Sequence, residues 1–283
     1  MKTVLGLTLP RFQSKFKSNS LCEKYLFKQR WPEGFVCPAC GHREYCFHSK
    51  RKLYQCSRCK HQTSVTAQTT FHKTRTALRK WFLAIFLMAS DKGGISGLSL
   101  ARLIDVSRKT AWTMLHKIRK AMADREARYL LGGLVELEDQ VLPGRTLTRP
   151  ENPVSLQLSL TENGFPVTIK IASPEGLDIP GFMKKLREGV SEDATLQMHF
   201  EVPVDENGKK KFIPGKHWSG IVLRNLRDFL NGTYHNACGK HIQKYLDEFS
   251  YRFNRRKLPG SWFDSLVTAC SATKTITYAE LTA

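Results

Sequence analysis

The sequence predicts a multidomain α+β protein. Three observations carry that prediction: a four-cysteine array near the start, helical periodicity after it, and a change to strand alternation past Tyr129. With 283 residues there is room for a small metal-stapled module, a helical module and one core domain of roughly 150 residues. The layout expected is an N-terminal segment over 1–70, a helical module over 71–128, a mixed core over 129–270 and a tail over 271–283.

The array comes first. Cys37, Cys40, Cys56 and Cys59 form a C-x2-C, fifteen-residue, C-x2-C pattern within 37–62. Two thiolate pairs closing on one tetrahedral ion are what structural zinc requires, so the spacing reads as a zinc ribbon rather than a disulfide frame. Gly41 sits where the first knuckle needs a positive φ, and Lys60 and His61 follow the second pair in the same way. Cys22, Cys46, Cys238 and Cys270 show no such pairing and read as buried or free thiols.

Charge indicates the partner. Residues 1–125 hold 25 Lys and Arg against 6 Asp and Glu, so +19 of the net +20 lies there. A basic block of that size on a folded segment is the footprint of a protein that neutralises phosphates, and double-stranded DNA is the expected partner. The apolar run from Trp81 to Ala89 is too short to span a membrane, and no signal-peptide pattern is present. Unpaired thiols and no export signal point to the cytoplasm, with association to the bacterial nucleoid expected.

The segment after the array reads as helices. Ala77 to Ser90 is long and largely apolar and ends at Asp91-Lys-Gly-Gly94. A second helix, about Ser99 to Ile104, stops at Asp105-Val106. Ser107 then caps a third, in which Ala111, Leu115, Ile118 and Met122 recur at helical spacing. Two helices joined by a three-residue turn form a helix-turn-helix pattern, whose second helix presents its first turn, Ser107, Arg108, Lys109 and Thr110, to a major groove.

Past Tyr129 the period changes to two. Gly133 to Glu138 alternates apolar and acidic residues, and Val154 to Leu160 alternates again. Glu162-Asn-Gly164 is a hairpin turn leading into Val167 to Ala172. A helix near Pro180 to Arg187, a fourth strand from Thr195 to Val202 and a solvated loop over Asp205 to Lys211 follow. Then come helices over Trp218 to Leu230, Lys240 to Arg256 and Trp262 to Cys270. Three meander strands, a helix, another strand and then helices is the order of an RNase-H-like α/β core with C-terminal helices.

The chain resembles the bacterial insertion-sequence transposases that join a zinc ribbon to an RNase-H-like, DDE-type core. The resemblance covers about Leu21 to Cys270. It rests on the ribbon, on Thr69-Thr-Phe-His-Lys-Thr-Arg75 with Trp81, on Lys109 to Arg119, and on Gly133 to Glu138. Its most specific part is Leu230-Asn-Gly-Thr-Tyr-His235 followed by Lys240 to Arg256. DNA-contacting candidates are Ser107, Arg108, Lys109 and Thr110, with Lys73 and Arg75 upstream.

The resemblance implies three acidic or amide side chains, from the first strand, the fourth strand and a later helix, around two magnesium ions about 4 Å apart. Here the family pattern is departed from. The first-strand position falls on Glu138 where Asp is expected, with Asp139 beside it. The fourth-strand position falls on His199 where Asp is expected. The helix position falls on Asn225, with Arg227 in place of a lysine. Magnesium avoids imidazole, so His199 is a poor substitute. The extra methylene of Glu138 displaces its oxygens by more than about 1 Å, an error that can cost roughly a hundredfold in rate. Asp228 could restore a carboxylate, although an i,i+4 pair with Arg224 is the plainer expectation. Glu136 shares a strand face with Glu138. His235 and His241 read as core or helix-end histidines.

The resulting expectation is a transposase-derived, sequence-specific duplex-DNA-binding protein with a degenerate catalytic pocket, assembling as a homodimer or larger complex on DNA. Structural zinc is its expected cofactor. The alternative is an active magnesium-dependent transposase that recognises terminal inverted repeats.

Overall fold

The computed structural model describes residues 7–142, 152–162, 164–174, 179–198, 218–234, 239–257 and 261–282. They form a mixed helix and sheet structure in two compact units, Met1–Met122 with Pro259–Ala283 and Ala123–Leu258. The solvated loop expected over 205–211 and the end of the fourth strand lie outside the described residues.

The first unit opens with two helices that periodicity had not singled out, α1 (Leu9–Lys15) and α2 (Asn19–Arg30). Pro10 stands in the first turn of α1, where its missing N–H costs nothing. The Ser18 hydroxyl accepts from the Leu21 N–H and caps α2. Strands β1 (Tyr45–His48), β2 (Leu53–Cys56) and β3 (Gln62–Thr63) then make a small antiparallel sheet in the order β1-β2-β3. Phe27 of α2 and Trp31, the residue that caps its C-terminus, pack on the Tyr54 ring of β2, at centroid distances of 5.1 and 5.7 Å.

Helix α3 (Leu78–Ser90) is apolar almost throughout, and Leu78, Trp81, Phe82, Ile85, Phe86 and Met88 are buried. It is followed by α4 (Gly97–Ile104) and α5 (Arg108–Glu126). The centre of the unit is a ring cluster. Phe12 stacks on Phe86 at 4.8 Å, and Phe16 lies 5.0 Å from Phe82 and 5.4 Å from Phe263. Each buried phenylalanine contributes roughly 1.5–3 kcal/mol, so this cluster dominates the unit's cohesion. Phe263 comes from far along the chain, on α9 (Trp262–Ala272), which packs against α2 and α3. Two polar contacts fix it there: the Tyr25 hydroxyl donates to Asp264, and the Thr268 hydroxyl donates to Gln29 at 2.6 Å. A short α10 (Tyr278–Thr282) completes the unit.

The second unit is built on β4 (Leu134–Leu142), β5 (Asn152–Leu160), β6 (Pro166–Ala172) and β7 (Thr195–Met198), in the order β6-β5-β4-β7. The first three pair antiparallel, whereas β4 and β7 run parallel through the crossover helix α6 (Ile179–Arg187). Gly164, at φ +75°, turns the hairpin between β5 and β6, where the Thr161 N–H donates to the Phe165 carbonyl at 2.9 Å. On one face Leu156, Leu158, Ile169 and Ile171 pack against α7 (Trp218–Thr233) and α8 (Ile242–Asn254), which bury Leu226, Phe229, Leu246 and Phe249 among others. A single 3-10 turn, Gly239–His241, leads into α8 and places His241 at its N-terminal end. Among the described residues no helix is long and apolar enough to cross a membrane.

Candidate metal centre and nucleic-acid interface

Two turns of the same construction bring the four thiols together. In the first, the Gly41 N–H donates to the Cys37 carbonyl and the Cys37 N–H to the His42 carbonyl, both at 2.9 Å. In the second, the Lys60 N–H donates to the Cys56 carbonyl at 3.1 Å and the Cys56 N–H to the His61 carbonyl at 2.9 Å. Gly41 (φ +72°) and Lys60 (φ +57°) occupy the left-handed region at matching positions. The lysine tolerates it with a tether, its ammonium donating to the Ser57 carbonyl at 2.8 Å.

The sulfurs of Cys37, Cys40, Cys56 and Cys59 all lie within 4.8 Å of one another, with Cys37–Cys59 and Cys40–Cys56 at 3.6 Å. That is far from a disulfide bond of about 2.05 Å. It matches the S···S edge of about 3.8 Å that a tetrahedron of 2.3 Å Zn–S bonds requires. The donor set fits zinc, and these four residues would hold it.

In the same unit α4 meets α5 across a tight turn. Asp105 ends α4 in the left-handed conformation, and the Val106 N–H closes back to the Ala101 carbonyl at 3.1 Å. The Ser107 hydroxyl then accepts from the Thr110 N–H at 3.1 Å, as its capping role required. Ala111, Leu115, Ile118 and Met122 are buried, while Arg108 and Lys109 are exposed on the first turn. Lys73 and Arg75 are both exposed in the loop before α3.

In the second unit the expected metal-ligand positions fall on β4 and α7. Glu138 pairs in register with Leu156 and Asp139 with Ser155. Glu136 is opposite Gln197 of β7, and the last described β4–β7 pair is Leu137 with Met198, one step before Glu138. His199 lies outside the described residues, as do His235 and Cys238. Asn225 and Asp228 are exposed on α7, and Arg227 is partly buried with its Nε lacking a hydrogen-bond partner. The i,i+4 ion pair expected between Arg224 and Asp228 is not formed. Both side chains are exposed, where solvent screens the attraction and leaves too little to hold two long side chains in one geometry.

Two segments match known protein families: residues 17–62 match the transposase zinc-ribbon domain of the IS1595 type, and residues 197–254 match the ISXO2-like transposase domain. Both matched segments are similar to domains of insertion-sequence transposases. A curated relative, an uncharacterized protein in transposable element ISH50 of Halobacterium salinarum, is 26% identical over 152 residues, or 53% of this chain. The match spans 50% of that relative's length. No solved structure matches the chain.

The transposase-like stretch from Leu230 to Arg256 does structural work that sequence reasoning had not assigned. Glu248 is fully buried and accepts from the Tyr234 hydroxyl at 3.1 Å, from Arg252 Nε at 2.9 Å and from a terminal Arg252 nitrogen at 2.7 Å. A buried carboxylate needs this degree of satisfaction to remain ionised. Glu126 is held in the same manner by Arg255 and Asn254. Arg256 donates to the carbonyls of Pro166 and Val167 on β6. The spacing of Glu248 and Arg252 at i,i+4 was the available signal; their burial was not legible from it.

Proposed function

We propose that this chain is a transposase-derived protein that binds duplex DNA sequence-specifically, with a DDE-type pocket too degenerate for efficient strand cleavage and transfer. The observation that carries the reading is the co-occurrence, in one compact unit and in the strongly basic part of the sequence, of the four-thiol cluster and the α4–turn–α5 pair. The latter exposes Arg108 and Lys109 behind a Ser107 cap. Arg and Lys at that place in a helix-turn-helix reach the O6 and N7 atoms of guanine in the major groove. The matches to transposase domains support the same partner.

The second unit supports an RNase-H-like platform, because a meander followed by one parallel strand through a helical crossover is the strand order such a core requires. Degeneracy is supported by residue chemistry. Glu138, His199 and Asn225 together supply one carboxylate where the family pattern has two aspartates before its helix position, and magnesium binds oxygen in near-ideal octahedra. The second reading, an active magnesium-dependent transposase, is favoured by one observation: Glu136 pairs in register with Leu158, which packs in the core with α7, and Glu138 follows two positions on along β4. In that case Glu136 or Asp228 would complete the ligand set. Assembly as a homodimer on DNA and association with the nucleoid remain part of the proposal.

Binding of the full chain to duplex DNA is the direct test. Affinity should fall steeply with added salt as phosphate counterions are released. Arg108→Ala and Lys109→Ala should reduce the preference for a duplex selected from a random library over its scrambled counterpart. Both variants keeping the parent's preference would overturn the helix-turn-helix assignment.

A further inference from the structure

Segment 275–282 is laid along α5 within the first unit, and it ends at the residue proposed above to read DNA. The Lys109 ammonium sits over the Tyr278 ring, 4.1 Å from its centroid. Trp112, one turn further on, meets the same ring at 6.0 Å in an edge-on arrangement and is itself packed on His116 at 4.1 Å. At the other end of the segment, Lys117 donates to the Thr275 hydroxyl at 2.9 Å, and that hydroxyl reaches the Thr70 carbonyl at 3.3 Å.

The segment is itself folded. Thr277 and Glu280 form a reciprocal cap, the Glu280 carboxylate accepting from the Thr277 N–H at 2.6 Å and the Thr277 hydroxyl from the Glu280 N–H at 3.2 Å, and Leu281 is buried. The acidic side chain is thereby turned to its own helix cap and not to Lys109.

We infer that Tyr278 is a positioning residue for DNA recognition: it holds the Lys109 ammonium at the first turn of α5 and so contributes to site discrimination without touching a base. The inference rests on the duplex-binding reading. Lysine has long, rotamer-rich geometry, and an ammonium fixed over an aromatic face is already ordered before DNA arrives. The ring occupies one side of the ammonium, whose three N–H donors can still serve an acceptor on the other. Tyr278 keeps 41% of its surface exposed, so its removal does not open a core.

The experiment compares the full chain with Tyr278→Ala, Tyr278→Phe, Lys109→Ala and the Lys109→Ala/Tyr278→Ala double variant. Each is measured for affinity to a library-selected duplex and to its scrambled counterpart, with melting curves as a fold check. Tyr278→Ala should lower the selected-to-scrambled ratio about three- to fivefold. Tyr278→Phe should retain the ratio, because the ring face remains, and the double variant should lose no more than Lys109→Ala alone.

A purely structural tail would lower both affinities alike and leave the ratio intact, which would overturn the inference. Tighter binding of both duplexes by Tyr278→Ala would also overturn it, by making the segment an inhibitory strap. If Lys109→Ala collapses the ratio while Tyr278→Ala does not, this inference alone fails. If neither Lys109→Ala nor Arg108→Ala changes it, the helix-turn-helix reading fails and takes the inference with it.

Discussion

Asn254 forms a two-bond amide pair with Ile169: its side-chain oxygen accepts from the Ile169 N–H at 2.8 Å, and its amide nitrogen donates to the Ile169 carbonyl at 3.0 Å. Gln243 does the same two residues on, donating to the Ile171 carbonyl at 2.9 Å and accepting from the Ser173 N–H at 2.9 Å. Among the described strands β6 is one edge of the sheet, and an open edge is a template for pairing with another chain. Two side-chain amides on α8 take the place of a fifth strand.

Asn254→Ala should therefore destabilise the second unit by about 2–3 kcal/mol, since two buried backbone groups lose their partners at once. It should also make the protein aggregate more readily near its melting temperature. Denaturant unfolding and light scattering check both effects. Asn254→Asp should be no better, because the carboxylate cannot donate to the Ile169 carbonyl and would face Glu126. Parent-like stability in both variants would remove the edge-capping role.

Asp247 makes a pH-dependent prediction. It lines a cavity of about 400 Å³ with Asp124, Glu126, Lys170, Lys185 and Gln243. Burial pushes its carboxyl up to about 6, against the partial relief of the Gln243 amide and Lys185, while Glu126 and Asp124 push the same way as burial. A folded value above the unfolded 3.8 means that the fold favours the protonated form. The cost is thus fully present above pH 6 and disappears as pH falls toward 4. Asp247→Asn should raise stability by about 2–3 kcal/mol at pH 7.5 and leave it unchanged near pH 4 relative to the parent at the same pH. An equal gain at both pH values would show that charge is not the cause.

The four-thiol cluster should hold about one zinc ion per chain, and Cys56→Ser should release it and unfold the ribbon, because the metal supplies most of the folding energy of such a module. Acid should do the same by protonating the thiolates. Metal analysis by mass spectrometry checks the stoichiometry. A folded preparation without zinc would end this assignment.

Cleavage of DNA ends by the unmodified protein should be undetectable or very slow with magnesium or manganese, since the three positions supply too little negative charge for two divalent ions. The double change Glu138→Asp with His199→Asp restores the family's acids and should bring back some metal-dependent nicking. Robust cleavage by the parent on its preferred duplex, abolished by Glu138→Ala, would make the chain an active transposase and displace the degenerate reading.

The sequence by itself determined what short spacing and period encode. Cys37, Cys40, Cys56 and Cys59 with Gly41 specified a pair of knuckles, because a positive φ and a two-residue gap are local requirements. Ser107 specified the start of α5, and alternation specified β5, β6 and the start of β4 to within a residue or two, because capping and side-chain period act over single turns and pleats; β4 runs four residues past the expected end at Glu138. The helices α1, α2 and α10 were missed, being short or weakly periodic.

Only tertiary structure decided the rest. It sent α9 to the first unit, where Phe263 joins rings more than 170 residues earlier in the chain. It also put Asn254 on the β6 edge and Tyr278 under Lys109. These contacts join residues far apart in sequence, and no local period carries them. They form because buried apolar surface and unpaired backbone groups must find partners somewhere in the folded chain.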